Sequence, residues 1–318
     1  MSDPPPDTGD EYRVSRITDE LFETLPEKDK SVDEIVRVSK TFAKDAWDRF
    51  KRNPLAMTGL VILVVIVIGA ILGPALSQFT YDKQDIANQY QTSSFTHIFG
   101  TDKFGRDLFV RMMYGARISL AIGFCAAAIN LLIGIIYGGV AGYFGGKLDI
   151  VMMRIVDIIY GIPQVCYVIL IMLYLGASIY SILIAISVTY WIRTARVVRS
   201  QVLTLKSQEF ILAARSIGES DFDIIAKHLI PNCLGPIVVT VTFLVPDAIF
   251  LEAYLSFLGI GIQVPMASWG TLANDAIPEL FSHPLLMIFP AVLISVTMFA
   301  LNFIGDGMRD ALDPKFRK

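Results

Sequence analysis

The sequence predicts an all-α, polytopic membrane protein with six transmembrane helices, and three observations carry that prediction. Of 318 residues, 54% are hydrophobic and only 18% charged, against about 25% charged in a soluble domain. The apolar residues fall in blocks of roughly twenty, the length a helix needs to cross a hydrocarbon core about 30 Å thick. Lysine and arginine gather in alternate connecting segments, as they do on the cytoplasmic side of a membrane.

Residues 1–31 open with Met1-Ser-Asp-Pro-Pro-Pro-Asp and show no apolar periodicity, so a disordered cytoplasmic tail is expected there. Residues 32–52 form an amphipathic helix. Val32, Ile35, Val36, Phe42, Trp47 and Phe50 share one half of the helical wheel; Asp33, Glu34, Arg37, Lys40, Lys44 and Asp48 take the other. Such a helix lies on the bilayer surface with Trp47 among the headgroups, or else packs on protein. The first span runs from Ala56 to Leu76 and the second from Ile118 to Tyr143, with a polar segment from Ser77 to about Gly115 between them. The apolar stretch 155–192 is too long for one crossing, and Gly176-Ala-Ser divides it into spans at 155–175 and 178–192. A basic segment, 193–231, precedes the fifth span, Ile237 to Leu258, and the sixth covers Pro284 to Ile304. The units are therefore 53–114 (first span and outer loop), 115–306 (the main transmembrane domain, with a hairpin at 207–231) and 307–318 (a cytoplasmic C-terminal tail).

Arg49, Lys51 and Arg52 precede the first span, which places the N-terminus in the cytoplasm. Six crossings then put Lys147, Arg193, Arg196, Arg199, Arg215, Lys227, Arg309 and the C-terminus inside as well. The outer segments 176–178 and 259–283 contain no lysine or arginine. The 77–117 segment is outside against the bias, with Arg117 at the outer interface.

A net charge of −3 without a basic stripe excludes a nucleic-acid partner. Cys125, Cys166 and Cys233 sit in or beside apolar blocks without CxxC spacing and read as buried inert thiols; with His97, His228 and His283 scattered, no metal or other cofactor is expected in this chain. The polar first fifty residues leave no room for a cleavable signal peptide. Gly100-Thr-Asp-Lys-Phe-Gly-Arg-Asp lacks the Gly-Lys-Ser/Thr ending of a nucleotide loop and reads as a turn holding Arg106 with Asp102 or Asp107. No catalytic pattern is present: neither two spaced histidines with a glutamate on one helix nor a serine in a Gly-x-Ser-x-Gly setting.

Within 193–231, Ser207 to Ile217 reads as one short helix ending at Gly218. Ser220 and Asp223 open a second in a capping-box pattern, which Pro231 stops. The small pair Ala213-Ala214 allows close approach. Such a hairpin suits contact with a cytoplasmic partner or packing on its own subunit, and the residues alone leave both open. In the fifth span Asp247 and Glu252 place carboxylates at membrane depth, where they face a cavity or a partner. Glu252 and Asp247 are the candidates to line a substrate pathway, where one of them would greet a substrate's ammonium group. The alternative is a structural hydrogen bond to a neighbouring helix or to backbone freed by Pro246, and for Asp247 structure or near-surface exposure is the favoured reading.

Glu209 to Pro231, EFILAARSIGESDFDIIAKHLIP, resembles the coupling motif of permease subunits in binding-protein-dependent ABC importers: Glu-Ala-Ala, three residues, Gly, nine residues, Ile, one residue, Leu-Pro. Ala213, Ala214, Gly218 and Pro231 match in register, and Ile230 stands for the leucine. Leu212 and His228 replace the glutamate and isoleucine, so a salt bridge from position 212 is lost. DAWDRFKRNPLAMTGLVIL (45–63), FGTDKFGRDLFVRMMYGARISLAIG (99–123), LVPDAIFLEAYLSFLGIGIQVPMASWG (244–270) and FIGDGMRDALDPK (303–315) resemble the C-type subunit of oligopeptide and dipeptide permeases. The resemblance covers Phe42 to the C-terminus. It implies a type I ABC-importer permease (MetI-like) fold in a bacterial inner or plasma membrane, importing oligopeptides or dipeptides. Implied partners are a second homologous permease subunit, two cytoplasmic ATPase subunits holding ATP and Mg, an extracytoplasmic peptide-binding protein and the lipid itself. Ala213, Ala214, Gly218, Ile230 and Pro231 would make the ATPase contact; Glu252 falls on the family pattern. Nickel or another peptide-like cargo stays open, as does an ion-coupled secondary transporter, which needs broken helices and midplane charges.

Overall fold

The computed structural model describes residues 41–313, and among them all regular structure is helical apart from one isolated bridge between Thr101 and Asp107. The tail expected over 1–31, the 32–40 part of the amphipathic helix and residues 314–318 lie outside the described residues. Helices α2 (Pro54–Leu76), α3 (Leu108–Phe144), α11 (Leu234–Phe257) and α13 (Leu285–Leu312) are each long and apolar enough to cross a membrane, as is the run from α6 (Ile179–Ser187) through α7 (Trp191–Leu205). Helices α4 (Gly146–Tyr160) and α5 (Gln164–Leu175) meet at 80° and together make the sixth crossing when counted as one span. The straight span expected at 155–175 is thus a bent one, because Pro163 has no N–H with which to continue the helix through Gly161–Pro163.

Two other boundaries move. Asp107 caps α3, its Oδ1 accepting from the Val110 N–H at 2.8 Å, so the helix begins before Ile118 and runs through the 114/115 division. Its 37 residues span about 55 Å, well beyond the hydrocarbon core. The fourth span, expected to end at 192, continues to Leu205, so Arg193, Arg196 and Arg199 ride on the span and not in a cytoplasmic loop.

Packing centres on α3 and α7. Gly134, Gly138 and Gly142 form one stripe of α3; a Cβ at Gly138 would stand 2.3 Å from the Ala195 carbonyl oxygen, and one at Gly134 would stand 2.5 Å from Thr194 Cβ. Only glycine lets the two backbones approach so closely. Arg117, expected at the outer interface, reaches α2, with Nε donating to the Ala70 carbonyl at 2.5 Å and Nη2 to that of Ile71 at 2.8 Å. Pro74, four residues beyond Ala70, cannot supply that bond.

The 259–283 segment, expected as an outer loop, holds a helix that the sequence reading missed, α12 (Trp269–Ala276), capped by Ser268 and Thr271. Trp269 is fully buried, and its Nε1 donates to the Met112 carbonyl at 3.2 Å. At the other end, α1 (Phe42–Phe50) packs on α13 through Phe50, beside Ala56 and Ala311, while Trp47 stays half exposed. Cys233 is buried, but Cys125 and Cys166 are exposed, which corrects the reading of all three as buried.

Gly138→Ala should lower stability by about 1–3 kcal/mol through overpacking. Gly235→Ala, whose Cβ would meet nothing within 4 Å, should change it little. Thermal unfolding of the two variants in detergent compares them.

Candidate functional site

Helix α8 (Glu209–Ser216) ends at Gly218, whose φ of +82° is one that a side chain resists. The Glu219 N–H then donates to the Ala214 carbonyl at 3.2 Å and closes the turn. Ser220 caps the second arm as expected: its Oγ accepts from the Asp223 N–H at 3.1 Å and donates to Asp223 Oδ2 at 2.8 Å. Lys227 Nζ, 2.8 Å from Asp223 Oδ1, holds that carboxyl below its usual range, and the Ser220 bond adds to the effect. His228, which departs from the coupling pattern, joins the arms through a 2.7 Å contact of Nε2 with Glu219 Oε2.

Pro231 does not stop the helix. The chain passes from α9 (Asp221–Asp223) through a π-helical turn, Ile224–Leu229, into α10 (Ile230–Asn232) and on toward α11. Pro231 lies in the first turn of α10, where a missing N–H costs least.

Burial divides the expected contact residues. Ala214 packs into its own subunit with Val198, Val202, Ile211, Ile224 and Leu229, and Ile230 borders the same cluster. Ala213, Gly218 and Pro231 are exposed. The pair Ala213-Ala214 therefore does not offer both methyls to a partner. The hairpin instead presents Ile217, 83% exposed, and Phe222, 77% exposed, on either side of Gly218. Sequence reasoning passed over both, although two large apolar residues flanking a glycine turn were the available signal.

The two carboxylates of α11 also separate. Glu252 is fully buried, its oxygens accepting from Ser119 Oγ and Ser256 Oγ, each at 2.8 Å, while Ser119 Oγ accepts from the Trp269 N–H at 3.4 Å. It ties α3, α11 and α12 together, which is the structural alternative; no pathway placement is seen for it. Asp247, read as structural or near-surface, is exposed and lines a cavity of about 840 Å³ with Tyr160, Pro163, Gln164, Arg193 and Arg196. Its Oδ2 lies 3.6 Å from Arg193 Nη1, and both side chains are more than half exposed.

In the segment expected outside, Asp102 Oδ2 accepts from Arg106 Nε at 2.7 Å and Arg111 Nη1 at 2.5 Å, and Arg111 Nη2 lies 3.4 Å from Asp275 Oδ2. The turn expected around Arg106 thus forms with Asp102, while Asp107 caps α3 and meets His97 Nδ1 at 2.8 Å. Among the described residues no group of histidine, cysteine and acidic side chains is arranged to hold a metal.

Glu252→Ala strands two buried serine hydroxyls and should cost about 1–3 kcal/mol. Glu252→Gln, which keeps an acceptor, should cost less. Detergent thermal unfolding of both variants checks the order.

Comparison with known proteins agrees with this geometry. Residues 130–318 match the family of binding-protein-dependent transport system inner membrane components, and residues 41–92 match the N-terminal transmembrane domain of oligopeptide transport permease C. The dipeptide transport system permease protein DppC of Bacillus subtilis is 48% identical over 305 residues, 96% of this chain and 95% of that protein. The oligopeptide transport system permease protein OppC of Escherichia coli K12 is 46% identical over 306 residues, 96% of this chain and 99% of that one. In fold, the chain resembles an inward-facing structure of the MetNI methionine ABC transporter, with a TM-score of 0.52 at 20% identity, covering 65% of this chain and 96% of the other.

Proposed function

The chain belongs to the inner membrane components of binding-protein-dependent transport systems, and from that membership we propose that it is the C-type permease subunit of an ATP-driven peptide importer. It would form half of the route for oligopeptides or dipeptides, with a second homologous permease supplying the other half. It is a transport component; in this reading ATP and Mg belong to two cytoplasmic ATPase subunits, and an extracytoplasmic binding protein delivers the peptide. Lys206, Arg215 and Lys227 in and beside the hairpin, and the lysine-free and arginine-free segments 176–178 and 259–283, support cytoplasmic termini.

One observation carries the coupling role: the hairpin tip exposes Ile217 and Phe222 to water on a turn fixed by Gly218 and the Ser220 cap. Exposed apolar side chains on a stiff turn suit a groove in a partner. Ala213, Gly218 and Pro231 border that contact, while Ala214 and Ile230 anchor it from within. The bent α4–α5 span and the Arg193–Asp247 pair would also suit an ion-coupled carrier. Near-full-length likeness to peptide permease subunits favours the ATP-driven reading and a peptide cargo over nickel.

Fully burying one large apolar side chain is worth about 1.5–3 kcal/mol. Ile217→Ala with Phe222→Ala should therefore weaken ATPase capture more than tenfold and abolish vanadate-sensitive uptake, with the chain still inserted. Normal co-purification of the ATPase subunits with this double variant would refute the docking assignment.

Orientation has its own measurement. In a chain with its native cysteines replaced by serine, a thiol at Gln91 should react with an impermeant maleimide in intact cells. A thiol at Ser220 should react only after lysis.

A further inference from the structure

We propose that Arg193 and Asp247 read the charged termini of a peptide in transit, Arg193 taking its carboxylate and Asp247 its ammonium. The inference rests on the permease reading and adds to it the recognition chemistry of the route.

Depth comes first. Both residues lie about halfway along membrane-crossing helices, the 179–205 run and α11. Charges at that depth face water or a partner, since hydrocarbon excludes them. Their groups are loosely joined at 3.6 Å and more than half exposed. Neighbouring Arg196, by contrast, meets Asp157 at 2.9 Å, within the range of a formed charged hydrogen bond.

Continuity comes second. A further cavity, of about 980 Å³, extends from Arg193 and Val197 past Gln201 to Pro231 and Arg309. Arg193 and Val197 line this cavity and the one at Asp247 alike, so the two share a wall along the groove between α7 and α11. Arg193 stands where they meet, with Asp247 beside it in the first. Irregular backbone at Gly161–Pro163 borders the first cavity, and such backbone persists at membrane depth only in a protein interior or beside water.

A neutral polar group comes third. The Gln164 side-chain amide lines that cavity together with Tyr190, and its Nε2 can offer an N–H group to a peptide carbonyl or carboxylate.

Short peptides differ in side chains but share one ammonium and one carboxylate. A loose Arg–Asp pair can exchange each partner for the matching terminus, replacing one charge contact by two. Any short zwitterionic peptide then satisfies the site, whatever its side chains.

The test uses the complete transporter, with companion permease, ATPase subunits and binding protein, in proteoliposomes supplied with radiolabelled trialanine. The double variant Arg193→Gln with Asp247→Asn should assemble, judged by co-purified ATPase subunits, yet import trialanine at least tenfold more slowly. Arg193→Lys with Asp247→Glu, which keeps both charges, should recover at least half of the wild-type rate. Wild-type import by the neutral pair overturns the proposal. So does failure of the neutral pair to assemble together with failure of the charge-conserving pair to import, for the pair is then a packing element. A wild-type complex that imports no trialanine overturns the permease reading itself and the recognition role with it, an outcome distinct from a defect confined to the variants.

Discussion

The approach of α3 to α7 across Gly134, Gly138 and Gly142 is the constraint on which the rest of the structure depends. Lipid tails are as apolar as leucine, so helices in a bilayer gain little from hydrophobicity alone and must gain from close packing and hydrogen bonds. The glycine stripe brings the two backbones together, and polar contacts fasten α7 to its surroundings. Lys206 Nζ donates to the Gly142 carbonyl of α3 at 2.9 Å, and Arg199 Nη2 meets Asp149 Oδ2 of α4 at 2.6 Å. Both ends of α7 acquire their roles from this seam. Arg193 is set at the cavity, and Val198 and Val202 form the floor on which Ile211 and Ala214 of the hairpin sit.

Charge along α7 is graded. Arg199 pairs with Asp149 and Arg196 with Asp157, both carboxylates belonging to α4, whereas Arg193 turns to Asp247 of α11. The separations lengthen in that order, from 2.5 to 2.9 to 3.6 Å. The end of α7 near the hairpin is fastened to α4, and its opposite end carries the longer contact to α11. One helix thus carries both a tight anchor and a loose contact.

Much of this was legible in the sequence, and the failures share a cause. Hydropathy located the apolar runs, and the Gly218 turn and Ser220 cap follow from backbone chemistry local to a few residues. A window average cannot register an 80° bend inside an apolar run, so hydropathy alone does not reveal the α4–α5 break. The π-helical turn before Pro231 is equally invisible to patterns of apolar spacing. Burial was harder still. Asp247 and Glu252 are five positions apart, about 140° around a helix, so opposite environments were foreseeable. Which of them faces the core is decided by Ser119 and Trp269, both distant in the chain. Ala214 was misjudged for the same reason: its neighbours Val198 and Leu229 come from elsewhere. The GxxxGxxxG spacing of α3, by contrast, was open to inspection and was overlooked.

Because Pro231 does not stop the helix, only the turn at Cys233 separates the hairpin's exit arm from α11. The 24 residues of α11 make an arm about 36 Å long, so a tilt of about 5° at its hairpin end would sweep the far end through about 3 Å. Asp247, just over halfway along, would travel about half that distance. On the coupling reading, a modest push on the hairpin would be geared into a displacement comparable to the reach of a charged hydrogen bond, delivered where the Arg193 and Asp247 side chains face each other.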